Sequence, residues 1–149
     1  MGTSFDDVIE MALMIIRDYK LVELYRANDD EFKSVLQGYM LKGLPKFEVS
    51  CMKSLEYDLE NRTFNEELDS IEIDIISDWT VIMWYTDHLN DVLEFREPLR
   101  DVDFNRFATG QNLKPRQAYL EELRRKVKQD ATNYQFQHLT SLPYFKGNS

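Results

Sequence analysis

The 149-residue sequence contains little of what disulfides, metal centres and tight turns require. A single cysteine, Cys51, excludes an intrachain disulfide and an all-cysteine metal site, and it fits synthesis in a reducing compartment. The two histidines, His88 and His138, fall on different predicted elements. Five glycines and four prolines are few, which favours long elements over a turn-rich β sandwich. We therefore expect a protein without a bound metal or cofactor.

Long hydrophobic runs are equally scarce. The most apolar stretch, residues 71–89, is interrupted by four acidic side chains, whereas a membrane span needs roughly 20 apolar residues. Residues 1–7 include no basic side chain, so no signal peptide is expected. Gly38 and Gly43 stand singly, so no glycine-rich phosphate-binding loop is present. The expected functions therefore include neither membrane contact nor nucleotide binding of that kind.

The residues that are present predict one globular unit. Hydrophobic side chains make up 43% of the chain and aromatic side chains 13%, which is enough for a substantial core. We expect a single helical domain over residues 1–139, followed by an extended tail over residues 140–149. The expected fold is mainly α, a small helical bundle around one long central helix.

Charge is unevenly distributed along the chain. The formal net charge of −9 argues against general nucleic-acid binding, because such binding depends on neutralising phosphates. Residues 1–113 contain 11 Lys and Arg against 24 Asp and Glu, whereas residues 114–149 contain 7 against 3. An acidic body with a basic C-terminal arm favours lateral or head-to-tail contacts between copies. A solvated basic helix face is the equally weighted alternative.

Apolar residues spaced three and four apart predict the first two helices. Ser4 is a suitable N-cap for the first helix. The second helix is expected to start near Asp29 and to stop at Gly43, because Pro45 follows. The predicted apolar face of the second helix consists of Phe32, Val35, Leu36, Tyr39 and Met40.

The strongest helical pattern covers about residues 69–90. Asp69 and Glu72 stand there in capping-box spacing, and the apolar residues cover a wide arc. This central helix should therefore contact neighbours on several sides. Before this helix, the apolar residues clearly follow neither the helical nor the strand spacing. We expect a short helix or turn there and then a short extended segment near residues 55–64. The expected core anchors are Trp79, Trp84, Phe64 and Leu68.

The last helix is expected to begin at Pro115, a residue favoured in a first turn. Acid-to-base pairs four residues apart, Glu121 with Arg125 and Glu122 with Lys126, are expected on its exposed side. The aromatic residues of the tail suggest docking onto a neighbouring copy, with packing on the same chain as an equal alternative. The candidate residues for contacts with copies or partners are Arg116, Arg124, Arg125, Lys128, Tyr144 and Phe145.

Carboxylates offer the main candidates for catalytic chemistry. Asp87, His88 and Asp91 share one helix end, but His88 points about 100° away from Asp87 on a helical wheel, so the three do not converge. Cys51 is expected to be a buried small hydrophobe. A metal-assisted phosphohydrolase would use Glu72, Asp74, Asp78 and Asp87, yet no Glu-x-x-His spacing supports it. We do not expect an enzyme.

Short packing motifs spread over nearly the whole chain carry a family resemblance. The first run, residues 59–68, has the sequence LENRTFNEEL and is followed by Glu72, Ile75-Ile76 and Met83-Trp84. Further motifs are Ile16-Arg17-Asp18-Tyr19, Asp103-Phe104, Asn112-Leu113-Lys114 and Asn133-Tyr134. With these motifs the chain resembles the small neck proteins of tailed bacteriophages, which belong to the head–tail connector. The motifs are moderately specific.

The resemblance implies a virion structural protein with a helical-bundle fold and no enzymatic step. Such adaptor proteins form rings, usually of twelve copies, which sit beneath the portal, extend the DNA channel and link the capsid to the tail. The implied partners are other copies, the portal protein and other neck or tail-completion proteins. The implied location is the neck of the virion, after assembly in the host cytoplasm. DNA would pass through without specific binding, and a negatively charged lumen would repel its phosphates.

Two alternatives from other classes stay open. One is a small cytoplasmic helical protein-interaction module, such as a regulator, and the other is the carboxylate metal-dependent hydrolase. The flanking genes separate the first alternative from the connector. A regulator would be encoded beside a transcription factor, and a connector between portal and tail genes.

Overall fold

The structure, a computed structural model, describes residues 2–18, 29–94 and 113–139. Within these ranges the chain forms four helices and one hairpin. The elements are α1 (Phe5–Asp18), α2 (Asp29–Glu48), β1 (Tyr57–Asp58), β2 (Thr63–Phe64), α3 (Ser70–Glu94) and α4 (Leu113–Leu139). The prediction of a mainly α bundle around a long central helix, with a short extended segment near residues 55–64, is confirmed. The predicted tail, residues 140–149, lies outside the described part of the chain.

The central helix α3 packs against α1, α2 and α4. Its buried residues occur around most of its circumference, as the wide apolar arc predicted, but several of them are polar. The Ser77 hydroxyl donates to the Ile73 carbonyl at 2.7 Å and lies 3.1 Å from the Val8 carbonyl of α1. The Thr80 hydroxyl donates to the Ile76 carbonyl at 2.8 Å. These bonds satisfy hydroxyl groups that burial would otherwise leave without partners.

The start of α3 has the predicted capping box. The Asp69 N–H donates to Oε1 of Glu72 at 2.8 Å, and the Glu72 N–H donates to Oδ1 of Asp69 at 2.8 Å. Two backbone donors that have no partner inside the helix are thereby satisfied. Glu72 is fully buried, so this cap also brings a carboxylate into the bundle.

The hairpin is attached to the start of α1. β1 and β2 pair antiparallel, and the Phe64 N–H donates to the Thr3 carbonyl at 2.7 Å. Ser4 caps α1 as predicted, because its Oγ accepts the Asp6 N–H at 3.2 Å. The Phe5 ring packs edge-on against Phe64, with 5.1 Å between ring centroids. The chain before α1 therefore joins the hairpin to the bundle.

The predicted end of α2 at Gly43 is wrong, because the helix continues through Pro45 to Glu48. Phe47 is buried and lies edge-on to the Tyr134 ring, so packing outweighs the hydrogen bond that the proline removes. Gly43 permits a close approach, since a Cβ there would lie 3.1 Å from Cβ of Trp79. Val35, predicted on the buried face, is 45% exposed.

The four expected core anchors are not equally enclosed. Phe64, Leu68 and Trp84 are buried, whereas Trp79 packs against the core and stays partly exposed. At Trp79 the helix α3 passes close to α2, because Cβ and the backbone of Trp79 lie against Gly43. The last helix also starts earlier than predicted, at Leu113, which places Pro115 inside the first turn.

We expect Ile76→Ala to lower the free energy of unfolding by about 2–5 kcal/mol, because the side chain is 1% exposed and its removal leaves a cavity. The matched control is Ile71→Ala on the same helix, where the side chain is 39% exposed and the loss should be far smaller. Urea denaturation followed by circular dichroism measures both. Equal losses for the two variants would contradict the packing described for α3.

Candidate subunit interface on the last helix

Helix α4 packs on the bundle through one apolar stripe and two buried polar contacts. The residues buried along this stripe are Leu120, Leu123, Val127 and Tyr134. Lys126 lies beside Val127, and Tyr134 carries a hydroxyl, so both bring polar atoms to the boundary with α3. The polar contacts determine which side of α4 faces the bundle and which side faces outward.

The first polar contact joins Lys126 to three carboxylates. Its Nζ lies 2.8 Å from Oδ2 of Asp78, 3.0 Å from Oδ2 of Asp130 and 3.4 Å from Oδ2 of Asp74. The Asp78 side chain is 1% exposed. Burial raises the pKa of Asp78 to about 6, although the hydrogen bond from Lys126 counteracts this. Burial lowers the pKa of Lys126, but the carboxylates outweigh that effect and the net shift is upward.

The second polar contact joins Tyr134 to Glu72. The Tyr134 hydroxyl donates to Oε2 of Glu72 at 2.6 Å and accepts the Met52 N–H at 2.9 Å. Lys53 Nζ lies 2.8 Å from Oε1 of Glu72. Burial alone would raise the pKa of Glu72, but the hydrogen bonds from Lys53, Tyr134 and the Asp69 N–H lower it below its ordinary value. Glu72 therefore stays ionised inside the bundle.

Cys51 lies at the edge of this second contact. Its Sγ is 3.8 Å from Oε2 of Glu72 and 3.8 Å from the Tyr134 hydroxyl. Burial raises the pKa of the thiol, so the neutral form is favoured. The side chain is half-buried and packs against the core, which accords with the expected role of a small hydrophobe.

Of the four carboxylates considered for a hydrolase, only Asp74 and Asp78 come together. Glu72 pairs with Lys53, and Asp87 lies 3.6 Å from Lys42, about 20 Å along the axis of α3 from Asp74. Among the described residues, Asp74, Asp78 and Asp130 do place carboxylate oxygens within 4.8 Å of one another. The Lys126 ammonium already lies among them, at the position where a cation would bind.

A groove runs beside α4 on the same side as this cluster. Its volume is about 420 Å³, and it lies between α1, α3 and α4. We call it the acidic groove, and its lining residues are Met11, Ser70, Ile71, Asp74, Asp130, Asn133, Tyr134 and Gln137. Asp74 and Asp130 belong to the group of three carboxylates that share one lysine, so the groove has a surplus of negative charge.

The described part of the predicted interface lies on the other side of α4. Arg124, Arg125 and Lys128 form what we call the basic flank, and the Arg125 side chain is 68% exposed. Arg124 lies 3.6 Å from Glu121 and donates to the Thr86 hydroxyl at 3.4 Å. The side chain of Arg116, together with Tyr144 and Phe145, lies outside the described residues.

The predicted pairing of charges along α4 is wrong for Lys126. Arg125 pairs with Glu122, three residues away, at 2.6 Å. Lys126 does not pair with Glu122 on the surface but turns towards α3, where Asp78 is buried. A buried carboxylate offers a stronger partner than a solvated one, because water screens exposed pairs. Nothing in the spacing of α4 alone indicates this partner.

Comparison with protein-family models, with curated proteins and with solved structures finds no match. In the part of the chain that the structure describes, no helix combines the length and apolar character needed to cross a membrane.

We expect the stability of the protein to carry a pH dependence that comes from Asp78. The pKa of its carboxyl is raised from 3.8 to about 6 by burial, so between these values the folded state binds more protons than the unfolded state. Its contribution to the free energy of unfolding therefore rises as pH falls from about 6 to about 4. Asp78→Asn lacks this titration, so the difference, wild type minus variant, should grow by about 3 kcal/mol.

Urea denaturation of both proteins at a series of pH values between about 7.5 and 4 measures this difference. Subtraction removes the contribution of Glu72, whose lowered pKa acts in the opposite sense and costs stability as pH falls. A difference that stays constant over this range would mean that Asp78 titrates normally in the folded protein.

Tyr134→Phe should lower the free energy of unfolding by about 2 kcal/mol, because it removes a hydrogen bond to a buried charge and leaves the Met52 N–H without its acceptor. Tyr57→Phe in β1 is the control, where the side chain is 43% exposed and the effect should be within about 0.5 kcal/mol. Chemical denaturation measures both. The proposed role of the Tyr134 hydroxyl is lost if the two variants are equally stable.

Proposed function

We propose that this protein is a virion structural protein, a head–tail connector that forms a ring beneath the portal, extends the DNA channel and links the capsid to the tail. The observation that carries the proposal is the segregation of charge around α4, which places the basic flank and the acidic groove on one exposed helix. The resemblance of the chain to phage neck proteins gives the class of assembly. The protein acts by binding, without a cofactor and without a catalytic step.

The outward face of α4 has the composition of a protein interface. Phe136 is 62% exposed, and at about 100° per residue it lies within about 20° of Arg125 around the helix axis, about 16 Å further along it. Exposed aromatic and arginine side chains are over-represented among the residues that dominate binding energy between proteins. An exposed phenylalanine on the same side of α4 as Arg125 therefore supports contact with another protein.

The acidity of the chain is compatible with the passage of DNA. Residues 1–113 contain 24 Asp and Glu against 11 Lys and Arg, so on balance this part of the chain repels phosphates. A channel wall that bound DNA tightly would hold the genome instead of releasing it, because phosphate contacts dominate such binding. In the proposed ring, the partners are other copies, the portal protein and further neck or tail-completion proteins, in the neck of a virion assembled in the host cytoplasm.

Co-expression with the portal protein encoded in the same genome tests this proposal. Cryo-electron microscopy of the purified complex should show a closed ring of this chain, with about the copy number of the portal, beneath the portal and coaxial with it. Mass photometry of the protein with and without portal gives the stoichiometry. A protein that does not bind portal under these conditions, encoded beside a transcription factor, would be the regulator instead.

A further inference from the structure

The acidic groove has the shape and charge to hold a basic side chain of another molecule. Met11 and Ile71 supply apolar surface, while Asp74 and Asp130 supply carboxylates at its rim. Lys126 contributes one positive charge against three aspartates, so two negative charges remain when all three are ionised. Arginine and lysine fit such a groove, because the aliphatic stem lies on apolar surface and the charged head reaches the carboxylates.

The basic flank of the same chain matches this groove but cannot reach it within one molecule. Lys128 lies about 160° from Asp130 around the axis of α4, so the flank and the groove face opposite directions. A two-fold contact through the basic flank would set Arg124, Arg125 and Lys128 of one copy against those of the other, and Glu121 and Glu122 would offset only part of that repulsion. A head-to-tail contact sets opposite charges against each other at every junction, and it closes into a ring when the rotation between copies allows.

We propose that the basic flank of one subunit docks into the acidic groove of the next, so that α4 alone provides both sides of the contact between copies. This inference rests on the proposed ring, and it names the surface by which the ring is built. Arg125 and Lys128 enter the groove, whose lining includes Asn133 and Gln137. Lys126 remains paired with Asp78 and Asp130 of its own subunit, so the wall of the groove keeps its position when the neighbour binds.

Disulfide trapping tests which surfaces meet. In a Cys51→Ala background, one preparation carries Lys128→Cys and a second, distinguishable by an affinity tag, carries Gln137→Cys. Mixed under mild oxidation, the two should give a cross-linked heterodimer at least tenfold faster than a control mixture of Lys46→Cys with Gln137→Cys, since Lys46 is exposed on α2. Faster linking of Lys128→Cys to itself indicates a two-fold contact and overturns the proposal, as does a rate no greater than the control.

Charge reversal tests the same contact without cysteines. We expect Arg125→Glu/Lys128→Glu and, separately, Asn133→Lys/Gln137→Lys to weaken self-association about tenfold or more in sedimentation velocity. An equimolar mixture of the two variants should restore association, because each junction again joins opposite charges.

The controls carry the same changes of charge on α2, Lys42→Glu/Lys46→Glu and Ser34→Lys/Val35→Lys, and should leave association nearly unchanged. Association that both reversals leave intact, in folded proteins by circular dichroism, overturns the proposal.

The results separate this contact from the proposed function. Rings on the portal that show no cross-link between flank and groove would remove the contact and leave the connector standing. Oligomers trapped through flank and groove that do not bind portal would establish the contact and remove the connector.

Discussion

The structure depends on an ion pair between a carboxylate buried on the central helix, Asp78, and a lysine supplied by another helix, Lys126. Asp78 is nearly inaccessible to water, and Lys126 comes from a helix that begins 35 residues later in sequence. A charged aspartate without this partner would cost several kcal/mol, so α4 can pack only in positions that bring Lys126 to Asp78. A hydrophobic stripe alone would tolerate sliding and rotation of the helix much better.

Glu72, the second buried acid, further restricts the positions in which α4 can pack. Glu72 and Asp78 are six residues apart on α3, and Tyr134 and Lys126 are eight apart on α4, so the two contacts together determine the position of α4 along α3. Their pKa values move in opposite directions because their surroundings differ. Glu72 accepts hydrogen bonds from Lys53, Tyr134 and the Asp69 N–H and is stabilised as an anion, whereas Asp78 has an oxygen, Oδ1, for which the described residues supply no partner.

Local rules account for much of this fold. Periodicity and capping predicted α1, the central helix and the cap formed by Asp69 with Glu72, because each depends on residues within a few positions of one another. The same rules failed at Pro45, where contacts of Phe47 with Tyr134 extend α2 beyond its expected end. They failed again at Lys126, for which Glu122 was the expected partner and a distant aspartate is the actual one.

The sequence likewise predicted one side of the candidate interface and not the other. Sequence alone indicated a basic C-terminal arm and named Arg124, Arg125 and Lys128 within it, since charge is counted without knowing the fold. It gave no indication of the acidic groove, whose walls come from α1, α3 and α4 and exist only once those helices are packed. A groove of this kind combines residues that are more than 100 positions apart, such as Met11 and Gln137.

The packing of α4 and its exposed surface are connected, because the buried polar pairs determine which side chains of α4 face outward. With Lys126 on Asp78 and Tyr134 on Glu72, α4 has one side in the bundle and the remaining sides exposed. Rotation of α4 by one residue, about 100°, would carry Lys128 and Arg125 away from their outward positions and would also pull Asp130 out of the groove wall. The polar contacts that specify packing within one subunit therefore also set how the basic flank is oriented relative to the groove walls that α1 and α3 supply. In the proposed ring, that orientation decides whether neighbouring copies close, so a residue that never touches a neighbour can still determine assembly.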